Sequence, residues 1–471
     1  MESLNNLDEK KLFLKLSKSK IFLSFSYAEG FGMPPLEAAI AGNKVIGYTG
    51  GGGKEYWQKP IFEEIQSGDI KNFSEKILNA VNNLPENWHK KTLSHRKKLA
   101  NKYSEINEKK LIQKMVKKVY SSYRAEIERE IKSVIDSGRF INGDQVASFE
   151  KDLSSYLKSK HVISVSSGTD ALLSIFMASG LKKNDKVLVT PFTYVASAAA
   201  LCRAGLTPVF VDVASDQFYP TLEQVEKRYS SDIKAVLVVH VFGEPAETYP
   251  IKQFCDSNGI FLFEDCAQSL GSSFETGKQT GTVGAAGAFS FFPTKNLGCF
   301  GDGGAVCTDD EKLAHAIRVV KNQGCHKKYY PKVLGGNFRL DEIQAAVLRV
   351  MLNKLDMLLE RRKNNAAFYL EELGHIEQLI LPTNRPGHSW NQFTVRTKHR
   401  DKLKKHLDHN EIGSAIYYPC SLNSFPIFDQ GDVMVNAEKL CSEVLSFPVY
   451  PNLSQAKKEL VVHEIRKYFN V

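Results

Sequence analysis

The 471-residue sequence predicts an α/β protein with a large, mostly parallel sheet covered on both faces. A small α+β domain closes the chain and a short, partial Rossmann-like α/β fragment opens it. Three observations predict this. Short apolar runs rich in Val, Ile, Phe and Leu (HVISV, KVLVT, PVFVDV, AVLVVHVF, IFLFED) alternate with helix-like stretches between residues 161 and 265, as strands buried on both faces do. Beyond residue 375 the pattern changes to the mixed segments SWNQFTVRT, DKLKKHLDHNE and GSAIYYP. A lysine-rich stretch, 89–124, separates both from the first 88 residues. The expected boundaries are 1–88, 89–124, 125–375 and 376–471.

In chain order, residues 18–48 read as strand KIFLSFS, loop YAEGFGMPP, helix PLEAAIAG and strand KVIGY. The following TGGGGKEYW is no phosphate-binding P-loop, because Glu55 follows its lysine and the spacing is wrong. In the basic stretch, Leu99, Tyr103, Ile106, Leu111 and Val116 form a narrow apolar stripe, which predicts a helix with a solvated basic face. No aromatic stacking pattern accompanies the lysines, so a nucleic-acid contact is not expected. Next, QVASFEKDLSSYL spaces Val146, Phe149, Leu153 and Leu157 on one helical face, behind Asn142 and Asp144 as caps. HVISV, the turn SSGTD and the helix ALLSIFMASG, stopped by Gly180, lead into the alternating strands. A long helical pattern from Leu340 to about Leu373 precedes the small domain.

Bulk composition narrows the function. Residues 1–124 hold 22 Lys+Arg and 13 Asp+Glu, a balance of +9, so the rest carries 62 − 22 = 40 basic and 53 − 13 = 40 acidic residues. The larger part is neutral. The eight cysteines are scattered, with no CxxC pair and no zinc spacing, which points to a reducing compartment and to no metal site. No signal-type segment and no uncharged run long enough to span a bilayer are present, so a soluble, cytoplasmic protein is expected.

Three polar clusters fall at strand ends, where open α/β sheets bind ligands. Ser166, Ser167, Gly168, Thr169 and Asp170 open a helix, as an anion site or as an ordinary cap. Asp265 ends the run IFLF and needs a partner, either a structural cation or a protonated ring nitrogen. In FSFFPTKNLGCFGDGGAV (289–306), Ser290 is a second phosphate donor. There Lys295 either snorkels to a wet surface or sits where desolvation favours its neutral, nucleophilic amine. One cofactor accounts for all three clusters. Pyridoxal phosphate needs a lysine for its aldehyde, an acid for its pyridinium nitrogen and a cradle for its phosphate, and Tyr194 in TPFTYVAS offers an aromatic cover.

SSGTDAL, TPFTYVAS, FEDCAQS, FSFFPTKNLGCFGDGGA and GGNFRLDEIQAA resemble, in order and approximate spacing, the motifs of the DegT-type sugar-nucleotide aminotransferases. The likeness runs from about Tyr123 to the C-terminus and implies the pyridoxal-phosphate fold type I. It implies that Lys295 holds the aldehyde, Asp265 the pyridinium nitrogen and Gln268 the ring hydroxyl. Gly168, Thr169 and Ser290 contact the phosphate and Tyr194 stacks on the ring. It further implies a homodimer with shared active sites, in which Asn337 reaches the neighbouring subunit's phosphate and Arg339 lies close to substrate. The implied reaction moves nitrogen from L-glutamate to a nucleotide-linked keto sugar, for amino-sugar and surface-polysaccharide biosynthesis. KNLG followed by GDGGA resembles the members that aminate C3 rather than C4. Leu270 and Asn423 stand where many members carry histidine. His240, in VVHVFG, either touches substrate or is a satisfied histidine at a strand end.

The first segment resembles the donor-sugar half of retaining GT-B glycosyltransferases, with Glu29 and Glu37 as its E-x7-E pair. Only about 20 residues precede its first strand, so a remnant or docking module is expected rather than an active glycosyltransferase. Two rivals remain for the larger part. A non-catalytic binding or regulatory protein would keep the fold without turnover. A sugar dehydratase of the same fold would carry histidine at the position of Lys295.

Overall fold

The computed structural model describes residues 21–24, 38–39, 43–47, 61–64, 70–85, 88–94, 96 and 120–471 apart from 429–430. Two compact units divide the chain, Met1–Gln113 and Lys114–Val471. Glu29, Glu37, the TGGGGKEYW loop and the stripe from Leu99 to Val116 lie outside the described residues. In the first unit, β1 (Ile21–Ser24), β2 (Lys44–Gly47) and β3 (Phe62–Glu64) form a parallel sheet in that order. The amphipathic helix Ile70–Asn83 supplies Phe73, Ile77 and Ala80 to a small core with Ile21, Leu23 and Ile46.

The second unit is built on seven strands: β4 (His161–Val165), β5 (Lys186–Val189), β6 (Thr207–Phe210), β7 (Ile233–Val239), β8 (Phe261–Asp265), β9 (Ala286–Ser290) and β10 (Gly304–Thr308). Their order is β4-β10-β9-β8-β7-β5-β6. Only β10 is antiparallel to its neighbours β4 and β9, so the other strands share one direction. The predicted apolar runs occupy β4 to β8. The sequence pattern did not flag β9 (AGAFS), because small residues have little intrinsic strand preference. Tertiary contact demands them instead. A Cβ on Gly287 would lie 2.4 Å from the Cα of Gly281.

Helix Asp144–Leu157 buries Val146, Phe149, Leu153 and Leu157 as its spacing predicts. Its cap differs from the local one expected. Asn142 takes up a left-handed turn (φ 51°) and the Asp144 side chain is exposed. The Gly143 and Gln145 amides donate to the Glu342 carboxylate instead, at 2.5 and 2.8 Å. A carboxylate beside helix-start amides gains from both the hydrogen bonds and the macrodipole. Phe149 also meets Phe291 edge-to-face at 5.4 Å, which fastens this helix beneath the loop that carries Lys295.

The long helical pattern after Leu340 is two helices, Glu342–Leu352 and Leu355–Leu373, broken at Asn353 and Lys354. Between the large sheet and these helices, β11 (Cys325–Lys327) and β12 (Tyr330–Pro331) form a small hairpin. The closing region pairs β13 (Phe393–Arg396) with β14 (Val444–Phe447) antiparallel. It has its own apolar core, including Tyr369, Phe393, Leu403, Leu445, Phe447 and Ile465.

Candidate active site

Because β4, β5, β7, β8 and β9 share a direction, the residues that follow them gather at one sheet edge. There β10 enters in the opposite sense at Gly304, paired with both Val165 and Ser290. Glycine is required for so tight an approach. A Cβ on Gly168 would lie 2.6 Å from the Cβ of Ser290, and one on Gly304 would lie 2.4 Å from the Ser167 carbonyl oxygen. The start of helix Gly168–Ala178 is therefore held beside Ser290. The Ser166 and Ser167 hydroxyls donate to Asp170 at 2.6 and 2.9 Å, and the Asp170 amide returns a bond to Ser167. The hydroxyls make the cap, while the first amides of the helix lack an intrahelical acceptor. The cap thus takes the Asp170 amide and leaves those of Gly168 and Thr169 free of the Ser166 and Ser167 hydroxyls.

Asp265 ends β8 and is buried. Its Oδ2 accepts from Ser197 Oγ at 2.7 Å and its Oδ1 from the Ala267 amide at 3.1 Å. Thr193 Oγ1 lies 2.9 Å from Ser197 Oγ, so the turn after β5 braces the carboxylate.

Lys295 follows β9, its amide bonded to the Phe292 carbonyl at 2.9 Å. The residue is half-buried. Burial lowers its pKa from the ordinary lysine value to about 8, against the attraction of Asp265. Among the described residues, Nζ has neither a hydrogen bond nor an ion pair at contact distance. A lowered pKa is the direction a nucleophilic amine needs.

Gln268 accepts from the Phe242 amide (2.7 Å) and donates to Tyr418 Oη (2.8 Å). Tyr418 in turn lies 6.4 Å, centroid to centroid, from Tyr194, whose ring is 60% exposed beside this edge. Asn337 is exposed and bridges to Asn322. Arg339 carries a buried Nε with no hydrogen-bond acceptor among the described residues. His240 is fully buried: Nδ1 accepts from the Ala246 amide at 3.0 Å, which makes Nε2 the donor to Glu264, also at 3.0 Å. Neither ring nitrogen is left for a substrate. Leu270 is buried, and Asn423 donates to the Asp432 carbonyl and to Glu438.

Sequence reasoning missed Thr193, Ser197 and Tyr418. The first two flank Tyr194 in TPFTYVAS, where two hydroxyls four residues apart are a usable signal. Nothing local singles out Tyr418. The set fits pyridoxal phosphate: a half-buried amine for its aldehyde, an acceptor-only carboxylate for its pyridinium nitrogen and helix-start amides beside Ser290 for its phosphate.

The profile of the DegT/DnrJ/EryC1/StrS aminotransferase family matches residues 121–466. A dTDP-3-amino-3,4,6-trideoxy-alpha-D-glucose transaminase from Streptomyces venezuelae is 38% identical, covering 75% of this chain and 94% of its own. A protein named pleiotropic regulatory protein, from Geobacillus stearothermophilus, is 37% identical over 74% of this chain and 96% of its own. Among solved structures, DesV of S. venezuelae has a TM-score of 0.73 at 37% identity, covering 76% of this chain and 97% of that one. NtdA of Bacillus subtilis, solved with bound cofactor PMP, has a TM-score of 0.70 at 26% identity, covering 74% and 82%.

Proposed function

The chain belongs to the DegT/DnrJ/EryC1/StrS aminotransferase family, and on that premise we propose that it moves nitrogen from L-glutamate to a nucleotide-linked keto sugar, using pyridoxal phosphate held at Lys295. The observation that carries this reading is the amine of Lys295, half-buried and without a hydrogen bond among the described residues, at the edge that also holds Asp265 and Ser290. Bound there, the cofactor supplies an electron sink for the carbon that loses its proton.

The chain's own residues do the rest. Gly168, Thr169 and Ser290 bind the phosphate, and Asp265 keeps a proton on the ring nitrogen. Gln268 meets the ring hydroxyl, and Tyr194 covers the ring face and excludes water. With the cofactor bound, Lys295 Nζ would take the proton from the amino-bearing carbon and deliver it to the carbon that had been the cofactor's aldehyde. Arg339, with its unpartnered Nε, suits an anionic group of substrate.

Amination at C3 is supported by the name of the S. venezuelae relative, a 3-amino-sugar transaminase. A shared-site homodimer is supported by the segment leading to Asn337, where Tyr329 and Leu334 are 82% and 87% exposed. Apolar side chains that free suit a second copy of the chain. No helix among the described residues is long and apolar enough to cross a membrane, which suits soluble substrates. The regulatory reading is favoured by the names of the Geobacillus relative and of a sensory transduction protein from Saccharopolyspora erythraea.

An absorption spectrum of the purified chain, before and after L-glutamate, tests the main reading. A visible band that glutamate bleaches, and that Lys295→Ala lacks, is the expected result. A chain that stays colourless with added pyridoxal phosphate would hand the lead to the regulatory reading.

A further inference from the structure

Asp265 has only donors around its oxygens. Ser197 Oγ gives its single proton to Oδ2 (2.7 Å), and the Ala267 amide gives one to Oδ1 (3.1 Å). Because the Ser197 proton is already committed, the 2.9 Å contact between Ser197 and Thr193 has one direction: Thr193 donates and Ser197 accepts. All three residues are buried, Thr193 at 3%, Ser197 at 1% and Asp265 at 5% exposure. The result is a dry, one-way chain, Thr193 to Ser197 to Asp265. Against a carboxylate at Asp265, both hydroxyl protons run toward it and each oxygen of the chain has a partner. Donors in a low-dielectric site polarise one another along such a chain.

From this geometry we infer that Thr193 and Ser197 are positioning residues that hold Asp265 as an oriented carboxylate toward the cofactor's ring nitrogen. The inference rests on the pyridoxal-phosphate reading of the site. The same eight-residue stretch, TPFTYVAS, also presents Tyr194 at that edge. One turn after β5 thus sets both the ring's cover and the acid beneath its nitrogen. Ser197 sits in the first turn of helix Ala196–Arg203, which fixes its hydroxyl more firmly than a loop would. The groups that face Asp265 electrostatically are Lys295, Tyr418 and Cys266, and none of them replaces the Ser197 donor.

The test uses the full-length, cofactor-loaded protein and three variants: Ser197→Ala, Ser197→Thr and Thr193→Val. Three quantities are measured on each: the dissociation constant for pyridoxal phosphate by fluorescence titration, kcat and KM for L-glutamate, and the thermal midpoint. Losing a hydrogen bond to a buried charge predicts that Ser197→Ala lowers kcat roughly ten- to a hundredfold. It should leave KM within about twofold and weaken cofactor binding about tenfold. Thr193→Val, one bond further out, should show the same split at about threefold. Ser197→Thr keeps the hydroxyl and should restore both quantities to near the parent's.

The inference is overturned if Ser197→Ala keeps kcat and cofactor affinity within twofold of the parent. It is equally overturned if Ser197→Thr is as impaired as Ser197→Ala, because the hydroxyl would then be irrelevant and only packing would matter. Should Ser197→Ala fail to fold, the Thr193→Val and Ser197→Thr pair decides by the same criteria. A parent protein that binds no pyridoxal phosphate would sink the cofactor reading and this inference together, whereas a binding parent with indifferent variants sinks only the inference.

Discussion

Glu264 and Asp265 are consecutive residues of β8, so their side chains point to opposite faces of the sheet, and the two faces treat a buried carboxylate in opposite ways. On one face Glu264 is saturated. It accepts from His240 (3.0 Å) and from the amides of Gly281 (2.8 Å), Val283 (2.8 Å) and Gly284 (2.7 Å). Burial works against its charge, but His240 and the Gly284 and Gly281 amides outweigh it and hold Glu264 below the usual carboxylate range. On the other face Asp265 has two donors, and a lysine nearby that it does not bond. The same contrast divides two lysines, one buried and one half-buried. Lys321 donates to Glu150 at 3.2 Å and to the Ser164 carbonyl at 3.0 Å, while Lys295 has no such partner among the described residues. A satisfied buried charge holds a fold together. An unsatisfied one stores reactivity, because its missing partner is what binds.

The sharpest way to break that comparison is to remove each lysine. Lys295→Ala should lower turnover by about four orders of magnitude or more, with little change in the unfolding midpoint. Lys321→Met should do the reverse. It leaves Glu150 with Arg318 alone, at 3.7 Å, and should cost about 2 kcal/mol of stability in a denaturant titration, with kcat nearly intact. Equal kinetic damage from both would erase the distinction.

The paired carboxylates give the next largest effect. Asp265→Asn should reduce kcat on the order of a thousandfold, since the ring nitrogen loses the charge that keeps it protonated, and cofactor affinity should fall less. Glu264→Gln would turn an amide donor toward backbone donors and should cost about 3 kcal/mol in stability while kcat stays within about threefold. A thousandfold kinetic loss in Glu264→Gln would mean that the two faces are coupled rather than separate.

The smallest effect sharpens the lysine contrast by titration. With its pKa lowered to about 8, Lys295 in cofactor-free protein is neutral above that pH. The rate at which pyridoxal phosphate attaches should therefore climb with pH and level off above about 8. Because the folded pKa lies below the unfolded one, the folded chain holds fewer protons between pH 8 and 10.5, and stability should rise with pH across that window. A rate that keeps climbing toward pH 10.5 would place the amine in water.

Much of this was legible in the sequence, and for one physical reason: periodicity is local. Alternation and apolar runs marked β4 to β8, and helical spacing marked Val146, Phe149, Leu153 and Leu157. Lys295, Asp265 and Ser290 stood out because lysine, acid and hydroxyl at strand ends are chemically odd. What tertiary structure alone decided depends on partners far along the chain. The helix at Asp144 is capped by Glu342, 199 residues beyond Gly143, which no local cap signal contains. Ser197 reaches Asp265 across 68 residues, and the reversed entry of β10 sets Gly304 between Val165 and Ser290. The lowered pKa of Lys295 has the same kind of origin, since desolvation is a property of the space around an atom and not of the residues beside it in the chain.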